Sequence, residues 1–297
     1  MVSGSKEFHH VTACRSRGDS LGEGPVWCER QQCLWWVDIV RGLLQRWRAD
    51  DSSTNKWKFE GPVAGIGLTQ NAELLIALKT KISLFDPESG RLDQIAELET
   101  TTEDVRLNDC AMSPEGRFHF GTCVESRQNP DGAIYNLAGG GIPLRVKTGL
   151  YTSNGLAFSL DGHTAYVSDS APDVRKIFAY DYDMNTGVWS NARLFFDTFD
   201  LPGRPDGACV DADNYLWYAG IDGAEIVRLT PDGKIDKVVP VPMKKPTKIC
   251  FGGAYLDRLY VTSLAGFEGS GPMDGSLIEM DVGCCGVAPY RWSNQSG

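Results

Sequence analysis

The chain has 297 residues, with 29 Lys plus Arg against 39 Asp plus Glu, a formal net charge of −10 and a pI near 4.9. A field of that sign repels phosphate backbones and anionic bilayers, which excludes nucleic acid and membrane surfaces as expected partners. With 42% hydrophobic and 23% charged residues the composition is globular, while 33 Gly and 15 Pro favour short strands and tight turns over long helices.

Residues 1–18 contain His9, His10, Arg15 and Arg17 but no apolar core of the kind a secretory signal needs. An apolar run such as Leu34-Trp35-Trp36-Val37 is far short of the roughly 18 residues that span a bilayer. Nine cysteines, odd in number and without a Cys-x-x-Cys pair, read as reduced thiols of a cytoplasmic protein. The vicinal Cys284-Cys285 reads as two unrelated small apolar residues, with a redox-active pair as the alternative.

From Glu23 onward, short apolar segments alternate with turn residues. Glu23 to Trp27 leads through Arg30-Gln31-Gln32 to Leu34–Val37. Ile66-Gly67-Leu68 leads through Asn71-Ala72 to Leu74–Leu78, then to Ile82–Phe85 and Pro87–Gly90. Asn108 to Met112 leads through Pro114-Glu115-Gly116 to Phe118–Phe120. Asn154 to Phe158 leads through Asp161-Gly162 to Ala165–Val167, and Asp206 to Val210 through Asp213-Asn214 to Leu216–Tyr218. Thr247 to Cys250 leads through Leu256-Asp257 to Leu259–Val261. Taking 23, 66, 108, 154, 206 and 247 as equivalent starts, the intervals are 43, 42, 46, 52 and 41 residues. Units of this length with several short strands are the signature of propeller blades. A helical solenoid does not fit, because no stretch of a dozen residues places apolar side chains at i, i+3, i+4 and i+7. The expected fold is all-β, a six-bladed β-propeller forming one domain over residues 1–297. Residues around Phe8 to Cys14, within the first 18 or so, are expected to pair with the last blade and close the ring.

In a propeller the first strand of each blade lines the channel, so the residue just ahead of it stands at the channel mouth. In four units that position is Glu23, Asn108, Asn154 or Asp206. Asn154-Gly155 and Asp206-Gly207 are each also compatible with a type I′ hairpin turn and nothing more. Asp161-Gly162 and Asp232-Gly233 are such turns, at the outer ends of strands. Shared phase favours function, since independent turn residues have no reason to occupy one slot. Two carboxylates and two amides offer oxygen only, which suits calcium, magnesium or manganese, with zinc admitted through its affinity for carboxylate. A histidine-rich zinc site does not arise from His9, His10, His119 and His163. Nor is there a Gly-x-Ser-x-Gly elbow, and Gly139-Gly140-Gly141 lacks the Lys-Ser/Thr of a phosphate loop.

Leu21-Gly22-Glu23-Gly24-Pro25-Val26-Trp27 with Leu34-Trp35-Trp36-Val37-Asp38-Ile39 resembles the opening of the regucalcin (senescence marker protein)/gluconolactonase/luciferin-regenerating enzyme family. So do Arg106-Leu107-Asn108-Asp109 with Gly121-Thr122, Ser153-Asn154-Gly155-Leu156-Ala157, Pro205-Asp206-Gly207, and Cys250-Phe251-Gly252-Gly253 with Tyr260–Ser263. The resemblance spans residue 20 to Tyr290 and implies a six-bladed, metal-dependent sugar lactonase. It implies one divalent ion on Glu23, Asn154 and Asp206. As a carboxylate at the edge of such an ion, Asp206 is also expected to accept a proton from the attacking water. The resemblance further implies a small-molecule sugar lactone as partner, with Arg106 and Asn108 on its hydroxyls and Asp109 at an accompanying acidic position. Some members carry a second acidic residue after the Gly-Thr. Here the loop reads Cys123-Val124-Glu125-Ser126, so Ser126 replaces that acid or Glu125 serves instead. Two rivals of other classes are an ion-binding regulatory propeller without turnover and an interaction propeller gripping a protein. A different hydrolase on the same scaffold, such as one cleaving phosphotriesters, is a third. Neither the sugar nor the oligomeric state is legible.

Overall fold

The computed structural model describes residues 11–15, 18–100, 104–126, 129–139 and 141–293. These form 24 strands and no helix, gathered into six four-stranded antiparallel sheets. No described helix is therefore long and apolar enough to cross a membrane. The innermost strands are Gly22–Cys28, Val63–Leu68, Val105–Met112, Ser153–Phe158, Arg204–Val210 and Pro246–Gly252, one per blade. Each contacts the innermost strand of the next blade, and the sixth contacts the first, so the six sheets close a ring. The repeat expected from the turns is this ring of blades.

Burial follows the radius. Val63–Leu68 is wholly buried, whereas Leu92–Glu97, the outer strand of the same blade, is mostly exposed. The core is six apolar clusters, one between each pair of neighbouring blades. Trp27, Leu34, Trp36 and Tyr260 fill the junction of the last and first blades, with Trp27 stacked on Tyr260 at 5.6 Å. The apolar alternation of each strand is thus used twice, because a blade in a ring has a neighbour on both faces.

The last blade is assembled from both ends of the chain. Its inner three strands are Pro246–Gly252, Arg258–Ser263 and Leu277–Met280, and the outermost is Val11–Arg15. Val11 pairs with Met280 and Ala13 with Ile278. Of the segment expected to close the ring, Val11 to Cys14 makes this pairing, while Phe8, His9 and His10 lie outside the described residues. All nine cysteines are free of disulfides.

The polar slot, expected just ahead of each inner strand, lies instead inside it, at a break in the ladder. Pairing with the second strand slips between Glu23 and Val26, Leu107 and Cys110, Asn154 and Ala157, Pro205 and Ala208, and Pro246 and Ile249. Asn154-Gly155 and Asp206-Gly207 are therefore parts of β-bulges and not hairpin turns, and bulges re-aim side chains. In the second blade the slip falls between Val63 and Gly65, ahead of Ile66, where the repeat start was set. That slot holds the buried, apolar Ala64.

Candidate functional site

All six inner strands run in the same sense, so the bulges put their side chains at one mouth of the channel. Glu23, Asn108, Asp109, Asn154, Asp206 and Lys248 are all buried there. Asn108 is the hub. Its Nδ2 donates to Asn154 Oδ1 and to Ser153 O, both at 2.8 Å, and its Oδ1 accepts from Arg106 Nη1 at 2.7 Å. Asn154 Nδ2 in turn donates to Ser170 Oγ at 2.9 Å. Its Oδ1 keeps one lone pair in reserve, since an amide oxygen accepts two bonds.

The carboxylates differ in how far they are satisfied. Asp109 is fully engaged: Oδ2 accepts from Leu156 N at 2.9 Å, and Oδ1 accepts from Cys110 N at 2.8 Å and from Lys248 Nζ. Glu23 accepts from Gly24 N at 2.9 Å. Asp206 Oδ1 is buried with no hydrogen-bond partner. Burial, then the nearby Asp109 charge, pushes the Glu23 carboxyl up to about 7 despite Lys248 and Arg106. Burial, then Glu23 and Asp109, raises Asp206 well above the usual carboxylate range. For Lys248, burial favours the neutral amine, but Asp109 and Glu23 outweigh it and hold the ammonium charged.

Lys248 is the residue sequence reasoning passed over. It follows Thr247 in the sixth copy of the slot and is the one cation among the slot residues, which was the available signal. Its stem crosses the channel so closely that a Cβ on Gly207 would sit 2.3 Å from Lys248 Cγ. Space, not backbone conformation, makes Gly207 a glycine. Ser170 and Arg204 also went unread. Ser170 bridges Asn154 to Pro205 O, and the Arg204 guanidinium, fixed by Asp222 at 2.7 Å, reaches Ser170 O.

The remaining expected residues stand on the rim. Arg106 Nε lies 3.4 Å from Glu125 Oε1, and that carboxylate is 68% exposed. Ser126 is exposed and makes no hydrogen bond among the described residues. Glu125, not Ser126, is thus the side chain joined to the Arg106–Asn108–Asn154 chain.

No group of three or more His, Cys, Asp or Glu side chains placed to hold a metal occurs among the described residues. What the slot offers is two carboxylates, Glu23 and Asp206, completed by the Asn154 amide oxygen. The unpartnered Asp206 Oδ1 and the mutual repulsion of the acids fit a hard or borderline divalent cation held by oxygen. Below the slot the channel keeps a cavity of about 170 Å³, lined by apolar side chains such as Ile66, Met112, Phe158 and Phe251. Asn108, Asn154, Glu23 and Asp206 do not line it. The C-terminal residues Val287–Tyr290 close its far end.

Fold and site together define a class: six-bladed propellers with an oxygen-donor site sunk into one channel mouth. Residues 21–265 match the family described as SMP-30/Gluconolactonase/LRE-like region, and the chain belongs to that family. It is 35% identical over 243 residues to the 6-deoxy-6-sulfogluconolactonase of Pseudomonas putida, covering 82% of this chain and 83% of that one. It is 37% identical over 249 residues to the L-arabinolactonase of Azospirillum brasilense, covering 82% and 81%. Among solved structures it is similar to a calcium-binding protein, regucalcin, of Agrobacterium tumefaciens, with a TM-score of 0.91 and 25% identity over 96% of this chain and 98% of that one.

Proposed function

We propose that this protein is a hydrolase that opens the ring of a sugar aldonolactone, a pentono- or hexonolactone, to the aldonic acid. One divalent ion, calcium, zinc, manganese or magnesium, would be held by Glu23, Asn154 and Asp206. The observation that carries this reading is a charge imbalance. Three buried carboxylates, Glu23, Asp109 and Asp206, surround one buried ammonium, Lys248. When all are ionised, two negative charges stay uncompensated, which is the charge of one divalent ion, and buried charge of that size is not tolerated alone. The relatives named as sugar lactonases supply the substrate class.

A divalent ion in this site supplies positive charge to polarise the lactone carbonyl and offset the charge developing on its oxygen. The chain's own residues do the rest. Asp206 Oδ1, free of any donor within the protein, accepts the proton of the attacking water. Asn108 has both amide hydrogens committed within the protein, so it acts as a positioning residue that aligns Asn154 and Arg106. Arg106 and the exposed Glu125 carboxylate offer donors and acceptors to the sugar hydroxyls, holding the ring in register with Asp206. Asp109 keeps Lys248 charged and in place.

A second reading, ion binding without turnover, is favoured by the similarity to the calcium-binding regucalcin. Acid release from a panel of pentono- and hexonolactones, followed with and without chelator, separates the two. Lactone opening should require divalent ion, be lost on chelation and return on add-back. Glu23→Gln and Asp206→Asn should each cost at least about 100-fold in kcat/KM, typical of losing a metal-site charge. Glu125→Ala should raise KM, while Ser126→Glu changes little. Tight calorimetric ion binding with no lactone turned over would establish the second reading.

A further inference from the structure

The far mouth of the channel carries a feature unrelated to lactone chemistry. Residues 282–293 cross it as a strap. Gly286 bridges to Asp211, Trp292 N donates to Leu68 O at 2.7 Å, and Ser293 N donates to Gly116 O at 3.0 Å. Arg291 anchors the strap, donating to Thr69 O at 2.9 Å and pairing with Glu29 Oε1 at 2.9 Å. The same guanidinium places Nη2 3.8 Å from Cys28 Sγ.

Cys28 does not stand alone. It closes the first inner strand, and the next strand opens with Cys33 directly opposite it in the antiparallel ladder. Such pairs hold their Cα atoms about 4.5–5.5 Å apart, inside the range a disulfide spans. The Cys33 thiol donates to Gln31 Oε1 at 3.5 Å, within the turn that joins the two strands. Both side chains are almost fully buried, with Cys28, at 4%, the more accessible.

We propose that Cys28 and Cys33 form a peroxide-reactive dithiol, with Arg291 of the strap holding the Cys28 sulfur as the attacking thiolate. Cys28 sulfur attacks one oxygen of a hydroperoxide, the O–O bond breaks, and the departing oxygen leaves as water or an alcohol with one proton. Cys33, losing its proton, then attacks the resulting Cys28 sulfenic acid. The S–S bond forms as the S–O bond breaks, and the hydroxide leaves as water with that proton. Two thiols lose two electrons and the peroxide gains them. Charge supports the division of roles. The neighbouring Cys33 thiol, and then Arg291, against the opposing effect of burial, hold the Cys28 thiol down to about 6, while Cys33 is raised.

The test uses the full-length protein, reduced and then exposed to hydrogen peroxide. Trypsin cuts after Arg30, between the two cysteines. A disulfide therefore appears as a linked pair of peptides that dithiothreitol separates. In Cys33→Ser the sulfenic acid should instead persist on Cys28 and be trapped by dimedone. Arg291→Met should slow loss of the Cys28 thiol by about tenfold, roughly the change in thiolate fraction from removing one adjacent cation. The exposed Cys285 should react at the wild-type rate and serves as the internal control. Absence of the linked peptides while Cys285 oxidises would overturn the dithiol, and an unchanged Cys28 rate in a folded Arg291→Met would overturn the part given to Arg291.

Discussion

Asp206 and Glu23 stand in the channel mouth as acids that burial and neighbouring carboxylate charge, Asp109 for both and Glu23 for Asp206, keep partly protonated, and this has a thermodynamic signature. Between about pH 4.5 and 7 the folded, ion-free protein holds a proton on Glu23 that the unfolded chain has already released. The native state binds more protons, so stability falls as pH rises through that window. Asp206 acts in the same direction. With chelator present, the melting temperature should be lower at pH 8 than at pH 6, and excess divalent ion should shrink the difference. A melt independent of pH in chelator would refute the repulsion. Lys248 provides the counter-test. Lys248→Met removes the cation from Asp109 and leaves a buried carboxylate beside two others, which should destabilise the fold by about 3–5 kcal/mol in denaturant titration. That cost should exceed the effect of any exposed Lys→Met change, such as Lys234→Met.

At the scale of the strand, the bulge is what turns a blade into a binding element. An unbroken inner strand would alternate its side chains regularly, and the slip at Glu23, Asn154 or Asp206 interrupts that alternation for one polar residue. Gly155 shows how tightly this is drawn. Its φ of +62° is left-handed, and a Cβ there would lie 2.1 Å from Ser168 Oγ and 2.9 Å from Asp206 O. Gly155→Ala should therefore cost about 2–4 kcal/mol, combining left-handed strain with overpacking. Because the clash falls on the Asp206 backbone, divalent affinity should drop as well. Calorimetric titration of the folded variant checks this; stability lost with affinity intact would mean that the bulge and the site are independent.

Over the whole molecule, closure links the two ends of the chain. Val11–Arg15 covers the otherwise open edge of Leu277–Met280, and a ring with one bare edge loses both hydrogen bonds and protection against edge pairing. Truncation through Arg15 should lower the melting temperature by at least about 5 °C, the shift expected from losing a few kcal/mol in a protein of this size. It should also promote concentration-dependent association. An unchanged melt would show that three strands suffice for the sixth blade.

The sequence by itself determined the blade count, the all-β class and the in-phase polar slot, because these depend on local periodicity and turn chemistry repeated six times. The family motifs around Glu23, Asn108, Asn154 and Asp206 were legible for the same reason: each lies in one short segment. What tertiary structure decided are relations between segments far apart in the chain. Lys248 meets Asp109 across 139 residues, Arg291 meets Cys28 across 263, and Glu125 rather than Ser126 reaches Arg106. The slip that carries the slot into the strand was also invisible, because a bulge is defined by the partner strand and not by the bulged one. No periodicity encodes such pairings. They follow from ring closure, which brings six strand ends onto one axis and makes buried charges there answer to one another.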